Sequence, residues 1–245
     1  MKENNHINKN NLKTADINVY AVFLIAELIF YVAFMWTDWV SSVDTTAIKF
    51  VAIVGCLFLA LYNLSRFKTD GKILFFAMLF TVCSDLVTLV INDYFTFGVS
   101  LFIPAQLLYA LRMRFWAEKP LYKPIIVRFT VILTTIISLA LANAFDWLTV
   151  VTGVYFSMLI FNAVESIFFA KSPKKFMFCI GLWLFVLCDV CVGLYNLPDL
   201  FEVTLSPRFH YAVSVLMWGF YLPSQVLIVL SALKEDHPKL SLWEK

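Results

Sequence analysis

Two acidic residues stand inside stretches of sequence that are otherwise almost entirely apolar. Asp85 lies in LFTVCSDLVTLVIND (residues 79–93) and Asp189 in GLWLFVLCDVCVGLYNL (residues 181–197). A carboxylate within a membrane costs about 2.5–3.5 kcal/mol on insertion scales, which favours a functional role for both residues. Because burial favours the neutral acid and a neighbouring carboxylate opposes further ionisation, we expect one aspartate to hold a proton while the other stays charged. Such a pair suits acid–base catalysis.

The two aspartates occupy matching positions in an internal repeat. A shift of 104 residues (189 − 85) places Asp189 on Asp85, and an asparagine follows each aspartate seven residues later, Asn92 and Asn196. Seven residues return a helix to the same face. The next stretches agree more closely still, FIPAQLL (residues 102–108) against YLPSQVL (residues 221–227). Parallel repeats of this kind share sites near the interface of the two halves.

Each repeated motif holds a proline followed two residues later by a glutamine, Gln106 or Gln225. Either the glutamine satisfies the backbone carbonyl groups that a proline kink frees, or it orients water or a substrate hydroxyl beside the aspartates. Glu27, midway along the first apolar stretch, also has two interpretations. It faces the functional cavity, or it pairs with a polar neighbour.

The composition is that of a membrane protein. Of the 245 residues, 61% are hydrophobic and 15% charged, and the mean hydropathy is +0.81. A soluble domain carries about 25% charged residues. The net charge of +2 and the lack of a basic aromatic patch argue against nucleic-acid binding. All five cysteines fall in apolar runs, which predicts buried hydrophobic residues rather than a disulfide framework.

The sequence predicts an all-α fold with eight transmembrane helices. A helix needs about 20 apolar residues to cross a hydrocarbon core of about 30 Å. Proline, glycine and charged residues separate eight stretches of that length. The predicted spans are residues 17–37, 46–64, 72–92, 95–115, 124–143, 147–170, 175–196 and 210–233. They form two parallel four-helix repeats.

Basic residues give the expected orientation. Lysine and arginine concentrate in the tails and in alternate loops, and only Lys49 and Arg208 fall on the other side. The positive-inside rule then places both termini in the cytoplasm, and we expect a multi-pass protein of a bacterial plasma membrane. The expected organisation is a polar tail (1–16), a membrane domain (17–233, with halves at about 17–115 and 124–233) and a C-terminal tail (234–245).

The order and spacing of these motifs resemble the lysoplasmalogenase (YhhN-like) family of eight-span membrane proteins, over most of the chain after residue 17. The family's Ser-Asp in the third span is matched by FTVCSD (residues 80–85), and its seventh-span motif by GLWLFVLCD (residues 181–189). Its aromatic–histidine–tyrosine pattern in the fourth span is matched by Phe102, Gln106 and Tyr109, with glutamine replacing histidine. YLPSQVLI (residues 221–228) and VYFSMLIFNA (residues 154–163) resemble the eighth and sixth spans.

The resemblance implies a hydrolase without a cofactor that cleaves the vinyl ether of a lysoplasmalogen to a fatty aldehyde and a glycerophospho-ethanolamine or -choline. Vinyl ethers hydrolyse by protonation at carbon and attack of water on the resulting cation, which requires an acid and an anionic base. The candidate catalytic residues are Asp85 and Asp189, with the division of roles open. The candidate substrate-binding residues are Lys49, Gln106, Tyr109, Tyr155, Gln225, Asn92, Asn196 and Glu27.

Several alternatives remain at the level of sequence. Lys49 either holds the phosphate of a lipid or extends to the membrane interface as an ordinary lysine. Intramembrane carboxylates in repeats also occur in proton-coupled transporters, and a non-catalytic lipid-binding member of the family is a third alternative. No metal site is expected, because Cys188 and Cys191 frame Asp189 without a histidine in reach. The expected partners are a lysophospholipid substrate and the bilayer.

Overall fold

The computed structural model describes residues 2–41, 43–117, 123–141, 146–198 and 203–232, which are helical with short connections and contain no strand. Side chains are described from residue 17 onward within these ranges, except at 68 and 123–125. The helices are α1 (Lys2–Val40), α2 (Thr46–Leu64), α3 (Lys68–Asp85), α4 (Phe95–Trp116), α5 (Lys123–Leu141), α6 (Trp147–Phe169), α7 (Pro173–Tyr195) and α8 (Pro207–Leu230). A π-helical segment, Leu86–Ile91, continues α3.

Seven of the eight predicted spans are confirmed as helices long and apolar enough to cross a membrane. Among the described residues of α5, the apolar stretch is shorter, Ile126–Leu141. The agreement follows from the absence of water in the bilayer core, since every backbone polar group there must be paired inside a helix. α1 begins at Lys2 and its apolar span begins at Ile17, while the division into a polar tail, a membrane domain and a C-terminal tail stays a prediction.

Polar residues fix where the later helices begin. Ser172 and Ser206 accept hydrogen bonds from first-turn backbone N–H groups of α7 and α8, and a proline follows each serine at the start of the helix. Asp146 caps α6 and accepts from the backbone N–H groups of Leu148 and Thr149. A hydrogen bond from the Thr149 hydroxyl is the first cause that lowers the pKa of the exposed Asp146. These caps satisfy N–H groups that have no partner within the helix.

A buried arginine ties α4 to α3 and to the end of α8. Arg112 is fully buried, and its Nε and Nη2 donate to the two carboxylate oxygens of Asp70 at 2.7 and 2.9 Å. Its Nη1 and Nη2 also donate to the Ser231 hydroxyl and carbonyl at 2.7 and 2.8 Å. The rings of Trp116 and Phe178 each lie 4.8 Å from the guanidinium. The cation therefore balances both a carboxylate and the negative end of the α8 dipole.

A second ionic cluster joins α6 to α4 and α5. Glu165 is buried and accepts hydrogen bonds from both Arg114 and Arg128. The guanidinium of Arg128 lies 4.5 Å from the ring of Phe161. Because α5 packs mainly on α6, this cluster and a hydrogen bond between Thr135 and Ser157 hold α5 in place.

Close approach of α7 and α8 depends on Gly181. A Cβ at this position would lie 2.8 Å from Ile228 Cγ1 and 3.1 Å from the carbonyl oxygen of Ser224. The lack of a side chain thus brings the two backbones together, as small residues do between membrane helices. This contact fixes Asp189 on α7 relative to Tyr221 on α8.

Candidate functional site

Asp85 is the last residue of α3, at the point where the α-helix changes into the π-helical segment. Its side chain is buried, with 5% of its surface exposed. The hydroxyl of Tyr221, on α8, donates a hydrogen bond of 2.7 Å to Asp85 Oδ2. π-Helical turns are rare and often mark functional sites. In this protein one lies immediately after the aspartate that the sequence analysis singled out.

Asp189 lies on α7 and is half-buried. Its Oδ2 atom is shielded from solvent and has no hydrogen-bond partner among the described residues, and the same holds for the hydroxyl of Tyr155 on α6. The Tyr155 hydroxyl interacts electrostatically with Asp189, and the Asp189 carboxylate interacts with that of Asp85. The two predicted catalytic residues therefore lie within electrostatic range of each other, each beside a tyrosine.

Aromatic rings surround this pair of carboxylates. The rings of Phe102 and Tyr155 are stacked with centroids 5.1 Å apart. Phe185 packs edge-on against Phe102 at 5.8 Å and contacts the ring of Tyr221 at 5.6 Å. Phe185 thus lies between the two tyrosines that flank the aspartates. The rings lie beside the tyrosines that neighbour the aspartates and offer π faces to a cation.

A third carboxyl group, that of Glu27 on α1, lies in the same part of the bundle. Its side chain is 4% exposed, and Oε2 has no hydrogen-bond partner among the described residues. The carboxyl group packs against Gly55, where a Cβ would overlap its Oε1. The neighbouring Cys56 interacts electrostatically with both Glu27 and Asp85. Of the two interpretations of Glu27, this position favours the one in which it faces the functional region.

The two glutamines of the repeated motifs are fully buried. The side-chain and backbone oxygens of Gln106 accept hydrogen bonds from Asn162 on α6, at 2.8 and 2.9 Å. Gln225 donates weakly to the Ser224 hydroxyl, at 3.4 Å. Tyr109, also fully buried, packs edge-on against Phe178 with centroids 5.6 Å apart. No described contact joins these three side chains to the aspartates, so their role in binding substrate stays a prediction.

The two asparagines lie at the ends of helices, and their role in binding substrate stays a prediction. Asn92 is exposed, has a left-handed backbone (φ 54°) and donates its backbone N–H to Val87 at the end of the π-helical segment. The extra residue of the π turn breaks the seven-residue spacing on which the prediction for Asn92 depended. Asn196 caps α7, and its side-chain amide donates to the Val192 carbonyl at 2.8 Å.

Lys49, near the start of α2, points into the bundle. Its Nζ lies 2.7 Å from Asp38 Oδ2, and 5.0 Å from the centroid of the Trp218 ring. Trp218 is in turn 5.4 Å from Tyr221, centroid to centroid. A row of contacts thus connects Lys49 to the tyrosine that binds Asp85. A lysine that merely extends to the membrane surface would direct its ammonium group away from this row.

Comparisons with known proteins identify the family. A family profile described as the YhhN family matches residues 44–232, which is well over half of the chain. The chain belongs to the YhhN family. No curated protein and no solved structure matches it. The match begins just before α2, so Glu27 and Asp38 on α1 lie outside the residues that identify this YhhN protein.

Sequence reasoning missed three residues around the site of this YhhN protein. Tyr221 was noticed only as part of a repeated motif, and Asp38 and Trp218 were not considered. A signal for Tyr221 does exist, because it occupies the motif position that Phe102 holds in the first half. Tyr221 donates a hydrogen bond to Asp85, and Phe102 stacks against Tyr155, the tyrosine beside Asp189. Within the described ranges, no three His, Cys, Asp or Glu side chains are grouped to hold a metal.

Proposed function

We propose that this YhhN protein is a membrane-embedded hydrolase that cleaves the vinyl ether bond of lysoplasmalogens. The observation that supports it most directly is the pair of carboxylates, Asp85 and Asp189, that interact with each other inside a ring of aromatic side chains. Membership of the YhhN family and the bundle of membrane helices agree with this activity. The products are a fatty aldehyde and the glycerophospho-base.

The hydrogen bonds of the two aspartates suggest how the roles divide. Asp85 already accepts a hydrogen bond from Tyr221, which suits an ionised carboxylate. Asp189 Oδ2 has no hydrogen-bond partner among the described residues and is available to hold a proton and deliver it. In this proposal Asp189 protonates the vinyl carbon distal to the ether oxygen. Asp85 then takes a proton from the water that adds to the carbon bonded to that oxygen, and the resulting hemiacetal collapses to aldehyde and alcohol.

The aromatic residues have a part in the same reaction. Protonation of the vinyl ether produces an oxocarbenium cation, and a π face within about 6 Å attracts a cation. Phe102, Phe185 and the two tyrosines present such faces around the aspartates. Burial makes both this attraction and that of the Asp85 carboxylate stronger than in water.

The arrangement in the membrane is part of the proposal. One aspartate comes from each half of the chain, as expected if residues 17–115 and 124–233 are parallel repeats with a site at their interface. The distribution of lysine and arginine supports cytoplasmic termini and a bacterial plasma membrane. On that orientation, Lys49 and the start of α2 face the non-cytoplasmic side.

The test is aldehyde release from a defined lysoplasmalogen by purified protein in detergent. Asp85→Asn and Asp189→Asn should each remain folded and lose activity by at least about a hundredfold, a typical contribution of acid–base catalysis. Asp93→Asn is the matched control. Asp93 is exposed in the same region of the chain, and its described hydrogen bond is one accepted from the backbone N–H of Tyr94, which an asparagine can also accept.

The results would discriminate between the proposed hydrolase and its alternatives. A wild-type protein that releases no aldehyde, or aspartate variants as active as the control, would contradict the proposal. The carboxyl groups of Asp85, Asp189 and Glu27 lie inside the bundle, and Glu27 Oε2 has no hydrogen-bond partner among the described residues; this feature also favours a proton-coupled transporter. Proton uptake into liposomes that depends on Asp85 and Asp189, without aldehyde release, would establish that alternative instead.

A further inference from the structure

A compact cluster of opposite charges and aromatic rings lies between the end of α1 and the start of α2. Asp38 accepts the Thr45 hydroxyl at 2.6 Å on one carboxylate oxygen, and Lys49 lies 2.7 Å from the other. The ammonium group is 5.0 Å from the Trp218 ring and 5.9 Å from the Phe34 ring. We call Asp38, Lys49, Trp218 and Phe34 the charged mouth. It has one cation, one anion and two π faces within contact distance.

Lys49 and Asp38 of the charged mouth can each form hydrogen bonds to a ligand in addition to those within the protein. The side chains of Lys49 and Asp38 are 13% and 15% exposed, so neither charge is sealed inside the protein. A lysine ammonium has three N–H donors. Among the described residues, Lys49 forms an ion pair with Asp38, which uses one of these donors. A carboxylate has about four lone-pair positions, of which Thr45 and Lys49 occupy two. Both charges of the pair therefore keep unused hydrogen-bonding capacity.

The charged mouth connects directly to the proposed catalytic residues. Trp218 contacts Lys49 on one side and the Tyr221 ring on the other, at 5.0 and 5.4 Å. The hydroxyl of Tyr221 is 2.7 Å from Asp85. In a lysoplasmalogen, six bonds separate the phosphorus from the ether-linked vinyl carbon, which is about 7 Å when extended. The row of contacts from Lys49 through Trp218 to Tyr221 leads towards Asp85, which is the direction in which the vinyl ether would extend from a phosphate held at Lys49.

We propose that the charged mouth binds a zwitterionic phospho-amine headgroup, with the phosphate at Lys49 and the ammonium at Asp38 and the Trp218 ring. This deepens and rests on the proposed hydrolase function, because it names the residues that select the headgroup of the substrate. A phosphate accepts charge-assisted hydrogen bonds from an ammonium, and an alkylammonium binds both a carboxylate and the face of a tryptophan.

The net charge of the mouth determines which headgroups it accepts. The formal charges of Lys49 and Asp38 sum to zero, which matches a headgroup in which the charges of the phosphate and the ammonium also sum to zero. A lysolipid with an anionic headgroup, such as phosphoglycerol, gains the same contact with Lys49 but brings no cation to Asp38. Opposing charges at such a site suppress the wrong partner as much as they attract the right one. Asp38 is therefore the specificity residue, and Lys49 the residue that binds all phosphate-bearing headgroups.

Binding can be tested apart from catalysis with alkyl-ether lysolipids, which lack the vinyl bond and are not cleaved. Their affinities for full-length protein in detergent would be measured by ligand-dependent thermal unfolding, with phosphoethanolamine and phosphoglycerol headgroups. Wild type should prefer phosphoethanolamine. Lys49→Met should weaken both ligands by about tenfold or more, the weight of a charge-assisted hydrogen bond. Asp38→Asn should weaken phosphoethanolamine by about tenfold and leave phosphoglycerol unchanged or tighter.

Matched controls separate the mouth from general charge effects. Asp93→Asn removes an exposed carboxylate from another connection, and Lys171→Met removes an exposed lysine elsewhere. Both should bind like wild type. If either single variant unfolds, the double variant Asp38→Lys with Lys49→Asp restores an ion pair and should bind phosphoethanolamine at least about tenfold more weakly than wild type. Soluble glycerophosphoethanolamine should compete less well than the lysolipid, because it lacks the chain; equal affinity would contradict a lipid ligand.

The outcomes are distinct for the two proposals. Wild-type protein with no headgroup preference, or Lys49 and Asp38 variants that bind like the controls, would overturn the charged mouth as a headgroup site. Wild-type protein that shows the predicted preference for alkyl analogues but releases no aldehyde from a vinyl ether would support the mouth and overturn the hydrolase.

Discussion

Replacing Arg112 by methionine should destabilise the fold more than most single substitutions. Arg112 makes two hydrogen bonds to Asp70 and two to Ser231, all between 2.7 and 2.9 Å, and no part of it is exposed. Methionine fills a similar volume but provides none of these donors. Removing one partner of a buried ion pair costs about 3–5 kcal/mol, because the remaining charge loses its counterion without regaining water. At about 2–4 °C per kcal/mol, the melting temperature should fall by roughly 6–20 °C.

The assay is thermal unfolding of purified protein in detergent, followed by circular dichroism. Arg208→Met is the matched control, since Arg208 is exposed at the start of α8. Its melting temperature should equal that of wild type. Arg112→Lys should fall between the two, because lysine keeps the charge but cannot bond both carboxylate oxygens in parallel. An Arg112→Met protein that melts within about 2 °C of wild type would show that the network contributes little, and would refute the assignment of Arg112 as an interior cation.

Further predictions concern the site, the packing and a helix cap. Tyr221→Phe removes the hydrogen bond to Asp85 and should lower aldehyde release by about tenfold or more while leaving lysolipid binding unchanged; equal activity would exclude a role for the hydroxyl. Gly181→Ala places a Cβ against the α8 backbone and should cost about 1–3 kcal/mol, read as a lower melting temperature. The hydrogen bond from Thr149 lowers the pKa of Asp146, so the ionised carboxylate stabilises the first turn of α6. The amides of that turn should be protected from hydrogen exchange above the ordinary pKa of 3.8, and the protection should be lost as the pH falls below that value. Asp146→Asn should abolish this pH dependence.

The sequence was sufficient to locate the membrane helices and the two aspartates. About 20 apolar residues are needed to cross a bilayer whatever the neighbouring helices are, so each span is visible in its own stretch of chain. A carboxylate within such a span is conspicuous for the same reason, because its cost is local to the helix that bears it. The motifs around Asp85 and Asp189 also carried the resemblance that the family match then confirmed.

The contacts between helices were decided only by the tertiary structure. Lys49 proved to pair with Asp38, and Tyr221 to bind Asp85, across separations of 11 and 136 residues (49 − 38 and 221 − 85). Arg112, near the end of the predicted fourth span, is an interior cation because Asp70 and the end of α8 converge on it. The faces that apolar helices bury against one another are similar in composition. The composition therefore does not specify which faces pack together or how each helix is rotated about its axis. A membrane helix is determined by its own residues, whereas a site is determined by the partners that packing brings to it.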